Sequence, residues 1–205
     1  MKVKVCGLNN KQNITEVIAA GVDMIGLIFY TKSPRSIDKG NVDPAFVKGL
    51  DVKKVGVFVN EKAEVVEKLQ KEYGLDYLQL HGHESSEYCA QMKKQGSKII
   101  KAFSVSDKLD LDLLRQYRSA VDYFLFDTKG KDRGGNGIKF DWEALANYNL
   151  DTPFMLSGGI RLEDANDVKQ LTIDKLWAAD LNSGFEESPG LKKAKEVREF
   201  INTLD

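Results

Sequence analysis

Histidine and cysteine are scarce in this sequence, with two of each: His81 and His83, Cys6 and Cys89. So few histidines argue against a multi-histidine metal site, and no metal is expected. Neither cysteine lies in a CxxC spacing, and two do not make a disulfide scaffold. Both thiols are therefore expected to be reduced, in a cytoplasmic setting. Proline is also rare, at four residues, and no Pro-rich linker or low-complexity segment interrupts the chain. A length of 205 residues is then read as a single domain over residues 1–205. The formal net charge is only -1, which gives no basic face for nucleic acid or an acidic membrane surface. No apolar run approaches the roughly 20 residues of a membrane span. Residues 1–6 enter a strand directly, without the apolar stretch of a signal peptide. The expected partner is a small molecule, with no nucleic acid and no membrane. The pattern does not separate a monomer from a homodimer.

Short apolar runs recur along the chain. They are Val3–Val5, Met24–Phe29, Val55–Val59, Tyr77–Leu80, Ile99–Ala102, Tyr123–Phe126, Phe154–Leu156 and Leu176–Ala179. They lack strict polar alternation, as strands buried on both faces do. Helical stripes lie between them: Ile14, Val17 and Ile18 before Gly21; Val65, Val66 and Leu69 before Gly74; Tyr88 and Met92 before Gly96. Leu109, Leu113, Leu114 and Tyr117 make another stripe, and Leu162, Ala165, Val168 and Leu171 one more. Ala194, Val197, Phe200, Ile201 and Leu204 form the last. Glycine just past a stripe is a common helix stop. The helical pieces at Pro44–Leu50 and Trp142–Ala146 are short. Eight strands in strict β-α order suggest a closed barrel or a long open sheet; the count of eight and the lack of a domain break favour a closed (β/α)8 (TIM) barrel near the lower size limit of that fold.

In such a barrel the chemistry sits at the C-terminal ends of the strands. Cys6 ends the first strand, and Gly7 after it gives the backbone room to turn. The sulfur is either a general base or nucleophile, or a small buried hydrophobe. Cys89 lies mid-helix on a barrel-facing stripe and reads as core. Asp127 ends the sixth strand, where burial would raise its pKa and suit a general acid; it could equally cap a turn or pair with Lys129. The segment Lys129–Gly137, with Gly134, Gly135 and Gly137, follows no phosphate-loop pattern and reads as a lid or a plain loop. Strand seven runs into Ser157-Gly158-Gly159 and strand eight into Asn182-Ser183-Gly184. Glycine-bearing turns on the last two strands suit a phosphate site, although tight turns need glycine anyway. Arg35, after Pro34 in the second loop, either clamps a carboxylate or pairs with Asp38. His81 ends strand four and has no assigned step; His83 is expected at the surface.

Taken in order, these strand-end motifs resemble the phosphoribosylanthranilate isomerase family over nearly the whole chain. The residues that carry the resemblance are Lys4-Val5-Cys6-Gly7; Gly26–Tyr30 with Ser33-Pro34-Arg35; Val55–Asn60; Leu78–Gly82; Phe126-Asp127-Thr128 with Gly134–Gly137 and Phe140-Asp141-Trp142; Leu156–Gly159; and Asp180–Glu186. The resemblance implies Cys6 as general base and Asp127 as general acid. It implies Arg35 near the anthranilate carboxylate, and Gly158, Gly159, Ser183 and Gly184 around the phosphate. It implies no cofactor, because the substrate nitrogen is the electron sink. Two places depart from the family pattern: Asn182 precedes Ser183 where two small hydroxyl residues are usual, and Leu191 follows Pro189-Gly190. The nearest rivals on residues alone are another phosphate-binding barrel enzyme, such as an epimerase or synthase, and a binding module that kept the barrel without turnover.

Overall fold

The computed structural model describes residues 1–105, 108–128, 142–145 and 147–205. The glycine-rich stretch read as a lid, Lys129–Gly137, and the residues Phe140-Asp141 lie outside the described residues. Eight parallel strands close on themselves: β1 (Lys2–Cys6), β2 (Met24–Ile28), β3 (Lys53–Phe58), β4 (Tyr77–Leu80), β5 (Lys98–Val105), β6 (Tyr123–Thr128), β7 (Phe154–Leu156) and β8 (Leu176–Leu181). β8 pairs back onto β1, with Lys4 opposite Asp180. The expected closed barrel is thus the fold.

Helices α1 (Lys11–Ala19), α2 (Pro44–Lys48), α3 (Ala63–Tyr73), α4 (Ser86–Lys94), α5 (Leu111–Tyr117), α6 (Ala165–Gln170) and α7 (Ala194–Leu204) fill the crossovers. Their starts follow local chemistry. The side chains of Asn10, Asp43, Ser85 and Asp110 each accept a hydrogen bond from a backbone N–H of the first helical turn. α3 stops at Gly74, whose φ of 64° is left-handed. After β6 only the 3-10 turn Trp142–Leu145 is described, which agrees with the short element expected there. Beyond β8 a small antiparallel pair, β9 (Glu186–Ser188) and β10 (Leu191–Lys192), precedes α7.

Alternation along each strand divides the buried residues into two cores. Met24, Val55, Tyr77, Ile100, Ala102, Leu125, Met155 and Ala178 cluster inside the barrel. Residues of opposite parity, such as Val5, Ile25, Leu78, Ile99 and Phe124, join the helix layer. The parity that points inward also carries Lys4, Cys6, Gln79, Asp127 and Asp180 toward the C-terminal rim. Near the other end Tyr123 stacks on Trp177 with centroids 3.9 Å apart, and Tyr77 leans on both.

One regularity escapes the strand pattern. Asp23, Asp76 and Asp122 each stand immediately before an even-numbered strand. Each accepts the backbone N–H of a residue in the preceding strand: Val3 at 2.8 Å, Lys54 at 2.9 Å and Ile99 at 2.8 Å. The sequences Val22-Asp23-Met24, Leu75-Asp76-Tyr77 and Val121-Asp122-Tyr123 are therefore one device used three times. It satisfies strand-end donors at the rim opposite the expected site. Asp76→Ala leaves the Lys54 N–H without this acceptor. Urea unfolding should then show a loss of about 1–2 kcal/mol, with turnover unchanged because Asp76 is at the far end of the barrel.

Candidate active site

Cys6 is the last residue of β1 and is buried, 4% exposed. It lies opposite Gly26 in the ladder, where a Cβ would come within 2.8 Å of the sulfur. A side chain at position 26 would therefore push the sulfur aside. Gly7 follows with φ of 77°, and the N–H groups of Gly7 and Leu8 both donate to the Gly26 carbonyl. This pins the turn that leaves the sulfur at the rim. Lys4, two residues earlier on the same face, is fully buried and donates to Asp180 Oδ1 at 2.8 Å. Burial pushes the Cys6 thiol above its ordinary pKa; Lys4 and Lys192 pull it down, and Asp180 pushes it further up. Cys89 is buried in α4, where burial lifts its thiol to about 11. It is core, as its helical stripe suggested.

Asp127 ends the inward-facing set of β6. It is not buried as its apolar strand suggested: a third of the side chain is exposed. Its neighbour is His81, whose Nε2 stands 3.5 Å from Asp127 Oδ2. Gln79 Nε2 lies 2.9 Å from His81 Nδ1. Gln79 thus anchors the ring from the barrel side, with Nε2 facing the Asp127 carboxylate. His83 is exposed. The loop that carries His81 is tied down from behind, since Lys101 Nζ donates to the Leu80 and Gly82 carbonyls and to Glu84. Asp180 responds to both sides of this rim. Burial raises its pKa, Lys4 lowers it, and of the two rim groups Asp127 raises and His81 lowers it.

Arg35 does not pair with Asp38. Its Nε and Nη2 grip Glu186 at 2.7–3.0 Å, in the two-pronged geometry favoured by guanidinium and carboxylate. The choice follows from burial: Asp38 is exposed, whereas Glu186 is 5% exposed and needs a cation. Lys192, fully buried on β10, reaches the same carboxylate at 2.5 Å and Asn182 Oδ1 at 2.6 Å. Burial works against the Glu186 carboxylate, but the Arg35 hydrogen bonds and Lys192 together hold its pKa below the ordinary value. One carboxylate thus serves two cations, and burial brings Lys192 down to about 8.

The turns after β7 and β8 meet at the same end of the barrel. Gly158 and Gly159 have φ of 91° and 70°, conformations that glycine enters without strain. At Gly184 a Cβ would lie 2.1 Å from the Ile160 carbonyl oxygen, so only glycine lets the two turns touch. Ser183 opens the 3-10 turn Ser183–Phe185 and is exposed.

The sequence matches the family described as N-(5′-phosphoribosyl)anthranilate (PRA) isomerase over residues 3–203. The chain belongs to that family. An N-(5′-phosphoribosyl)anthranilate isomerase of Parabacteroides distasonis is 44% identical over 206 residues, covering all of this chain and 93% of the relative. The crystal structure of phosphoribosyl anthranilate isomerase from Thermotoga maritima superposes with a TM-score of 0.86 at 32% identity, covering 100% of this chain and 98% of that one. A crystal structure of phosphoribosyl anthranilate isomerase in complex with reduced 1-(o-carboxyphenylamino)-1-deoxyribulose 5-phosphate has a TM-score of 0.80 at 28% identity, covering 100% and 98%. As a member of the phosphoribosylanthranilate isomerase family the chain is an isomerase. Among the described residues no helix is long and apolar enough to cross a membrane.

The structure therefore brings Cys6, Asp127, Arg35 and the two glycine turns to one end of the barrel. It adds four residues that the motif reading left without a role: Glu186, Lys192, Asn182 and Gln79. Their signal is weak in sequence, because Glu186 and Lys192 sit among other charged residues and only the fold buries them.

The Glu186 clasp has a pH signature. Its folded-state pKa is depressed, so its stabilisation is present above the unfolded value and is lost as pH falls through the folded one. Glu186→Gln should lower stability at pH 7 by about 3 kcal/mol, since Arg35 and Lys192 lose their shared anion. The gap between mutant and parent in urea midpoint should close as pH is lowered through the acid range. A gap that stays constant with pH would exclude an ionised Glu186 as the source.

Proposed function

We propose that this isomerase acts on N-(5′-phosphoribosyl)anthranilate and carries out its Amadori rearrangement to 1-(2-carboxyphenylamino)-1-deoxyribulose 5-phosphate, a step of tryptophan biosynthesis, in the cytoplasm. The observation that carries this reading is the pairing at one rim of a sulfur and a carboxyl group, with Asp180 in electrostatic reach of both. In support, a relative of the same fold holds the reduced form of that product.

Asp127, protonated, gives its proton to the furanose ring oxygen. The C1′–O bond breaks as the anthranilate nitrogen donates its electron pair, and a protonated Schiff base forms. Cys6, as thiolate, takes the proton from C2′. The C–H electron pair becomes the C1′=C2′ double bond of an enolamine, and the iminium electrons return to nitrogen. Tautomerisation then places a proton on C1′ and leaves the ketone at C2′. Two groups in opposite protonation states suffice for this sequence.

The remaining residues orient the substrate. The turns at Gly158, Gly159, Ser183 and Gly184 would hold the phosphate, where backbone N–H groups favour an anion. Arg35 keeps Nη1 outside its Glu186 contacts and would direct it at the anthranilate carboxylate. His81, with Nε2 3.5 Å from Asp127 Oδ2, would limit how the Asp127 carboxyl group turns at the rim. Holding both ends of the substrate converts binding energy into alignment at C1′ and C2′.

Cys6→Ala and Asp127→Asn should each lower kcat by at least ~10²-fold while circular dichroism and unfolding remain those of the parent. Near-parental turnover in either variant removes that residue from its role. In cells, the parent gene should restore growth without tryptophan to a strain lacking this isomerase, and the Cys6→Ala gene should not.

A further inference from the structure

A lysine and an aspartate inside a barrel are costly to bury, and apolar side chains of similar volume would serve the core as well. Lys4 and Asp180 nonetheless face each other across the β1–β8 seam at 2.8 Å, at 0% and 4% exposure. Cys6 stands two residues above Lys4 on the same face of β1. The buried ammonium therefore lies beneath the sulfur on one inward face, and its positive charge favours the ionised sulfur. The ammonium thus has a carboxylate as its hydrogen-bond acceptor across the seam and a sulfur next above it on its own strand.

We propose that Lys4 is a positioning residue for Cys6: its ammonium is the counter-charge of the Cys6 thiolate, and Asp180 sets how much of that charge the sulfur receives. This rests on the reading of Cys6 as the base. Other charges face the sulfur, but they are otherwise engaged. Lys192 on β10 is shared between Glu186 and Asn182, and Arg35, over Gly7, is held by Glu186. β2 offers only Gly26. Asp127 and His81 act on Asp180 from the far side of the rim.

The electrostatics follow the same lines. Burial opposes the Lys4 charge, yet Asp180 and Cys6 together hold it as ammonium. Burial favours the protonated form of Asp180 and of Cys6 alike. Two groups that would each give up their charge thus compete for one cation. Whichever is ionised beside Lys4 lowers the demand of the other, so a negative charge on Asp180 holds the sulfur as thiol. Neutralising Asp180 releases the ammonium to the sulfur. Removing the ammonium leaves the sulfur with burial and an opposing carboxylate.

The two arms therefore have opposite signs. Thiolate formation is followed by absorbance at 240 nm, as the difference between each chain and the same chain carrying Cys6→Ala, which cancels Cys89 and the tyrosines. Lys4→Met should raise the Cys6 midpoint by at least about one pH unit, and Asp180→Asn should lower it by about as much. A purely structural pair would reduce stability in both variants without opposite movements of the thiol. A folded variant with an unmoved midpoint, or two midpoints moving together, overturns the proposal. If Lys4→Met does not fold, the near-isosteric Asp180→Asn decides: a lower midpoint supports the assignment, and an equal or higher one overturns it. The titration needs no substrate. Failure of Cys6 as base, seen as turnover in Cys6→Ala, is thus distinguishable from failure of Lys4 as its counter-charge.

Discussion

The seam between the first and last strands is the contact on which the rest of the site depends. Closing the barrel sets Lys4 against Asp180 in register and binds them inside. That single closure brings residues 4–7 beside residues 180–192, which are far apart along the chain. It sets Cys6 near Lys192, sets Gly7 under Arg35, and lets Asn182 accept from Lys192. An open sheet made of the same strands would have two free edges here and no site between them. The Arg35–Glu186–Lys192 clasp then ties the loop after β2 to the hairpin after β8, across β1. The seam is held both from inside the barrel and from above.

Much of this was legible because a parallel barrel writes its layers plainly. Eight apolar runs at regular spacing mark strands buried on both faces, and the shortest helical pieces fall where the described residues form the short α2 and the 3-10 turn Trp142–Leu145. The rim residues were legible for a related reason: each is a polar or small residue ending an apolar run, as in Val5-Cys6-Gly7 and Phe126-Asp127. Lys4 falls inside the apolar run Val3–Val5, but its position does not say which strand will sit opposite it. That pairing joins two residues 176 positions apart in the chain.

What the pattern could not supply was the partner of each charge. Arg35 has an acid three residues away, and local pairing with Asp38 is the natural expectation from spacing. The fold instead brings it Glu186, because a half-buried guanidinium gains more from a dry bidentate carboxylate than from an exposed one. The Asp23, Asp76 and Asp122 device was hidden for a different reason. A single aspartate before a strand looks like a turn residue, and its purpose appears only when the neighbouring strand offers an unpaired N–H. Asp127 shows the reverse error. An apolar strand was taken to bury its last residue, whereas alternation turns that residue to the barrel mouth, where a third of it meets solvent.

These partners are not spread evenly along the barrel axis. At the N-terminal end, Asp23, Asp76 and Asp122 accept strand N–H groups beside a stack of Tyr77, Tyr123 and Trp177, and each also meets a lysine at the solvent edge. At the C-terminal end the shared charges are buried: Glu186 lies between Arg35 and Lys192, and Asp180 is under the influence of both Lys4 and Asp127. A buried charge divided between two partners serves neither fully, and one of the groups is left short. It also leaves that group sensitive to a newcomer. A substrate bringing a phosphate and a carboxylate adds anions to a rim where Arg35, Lys192 and Lys4 are already divided, and each contact it takes alters the share left to the sulfur. The C-terminal rim is thus the end at which a bound anion changes how the buried charges are divided.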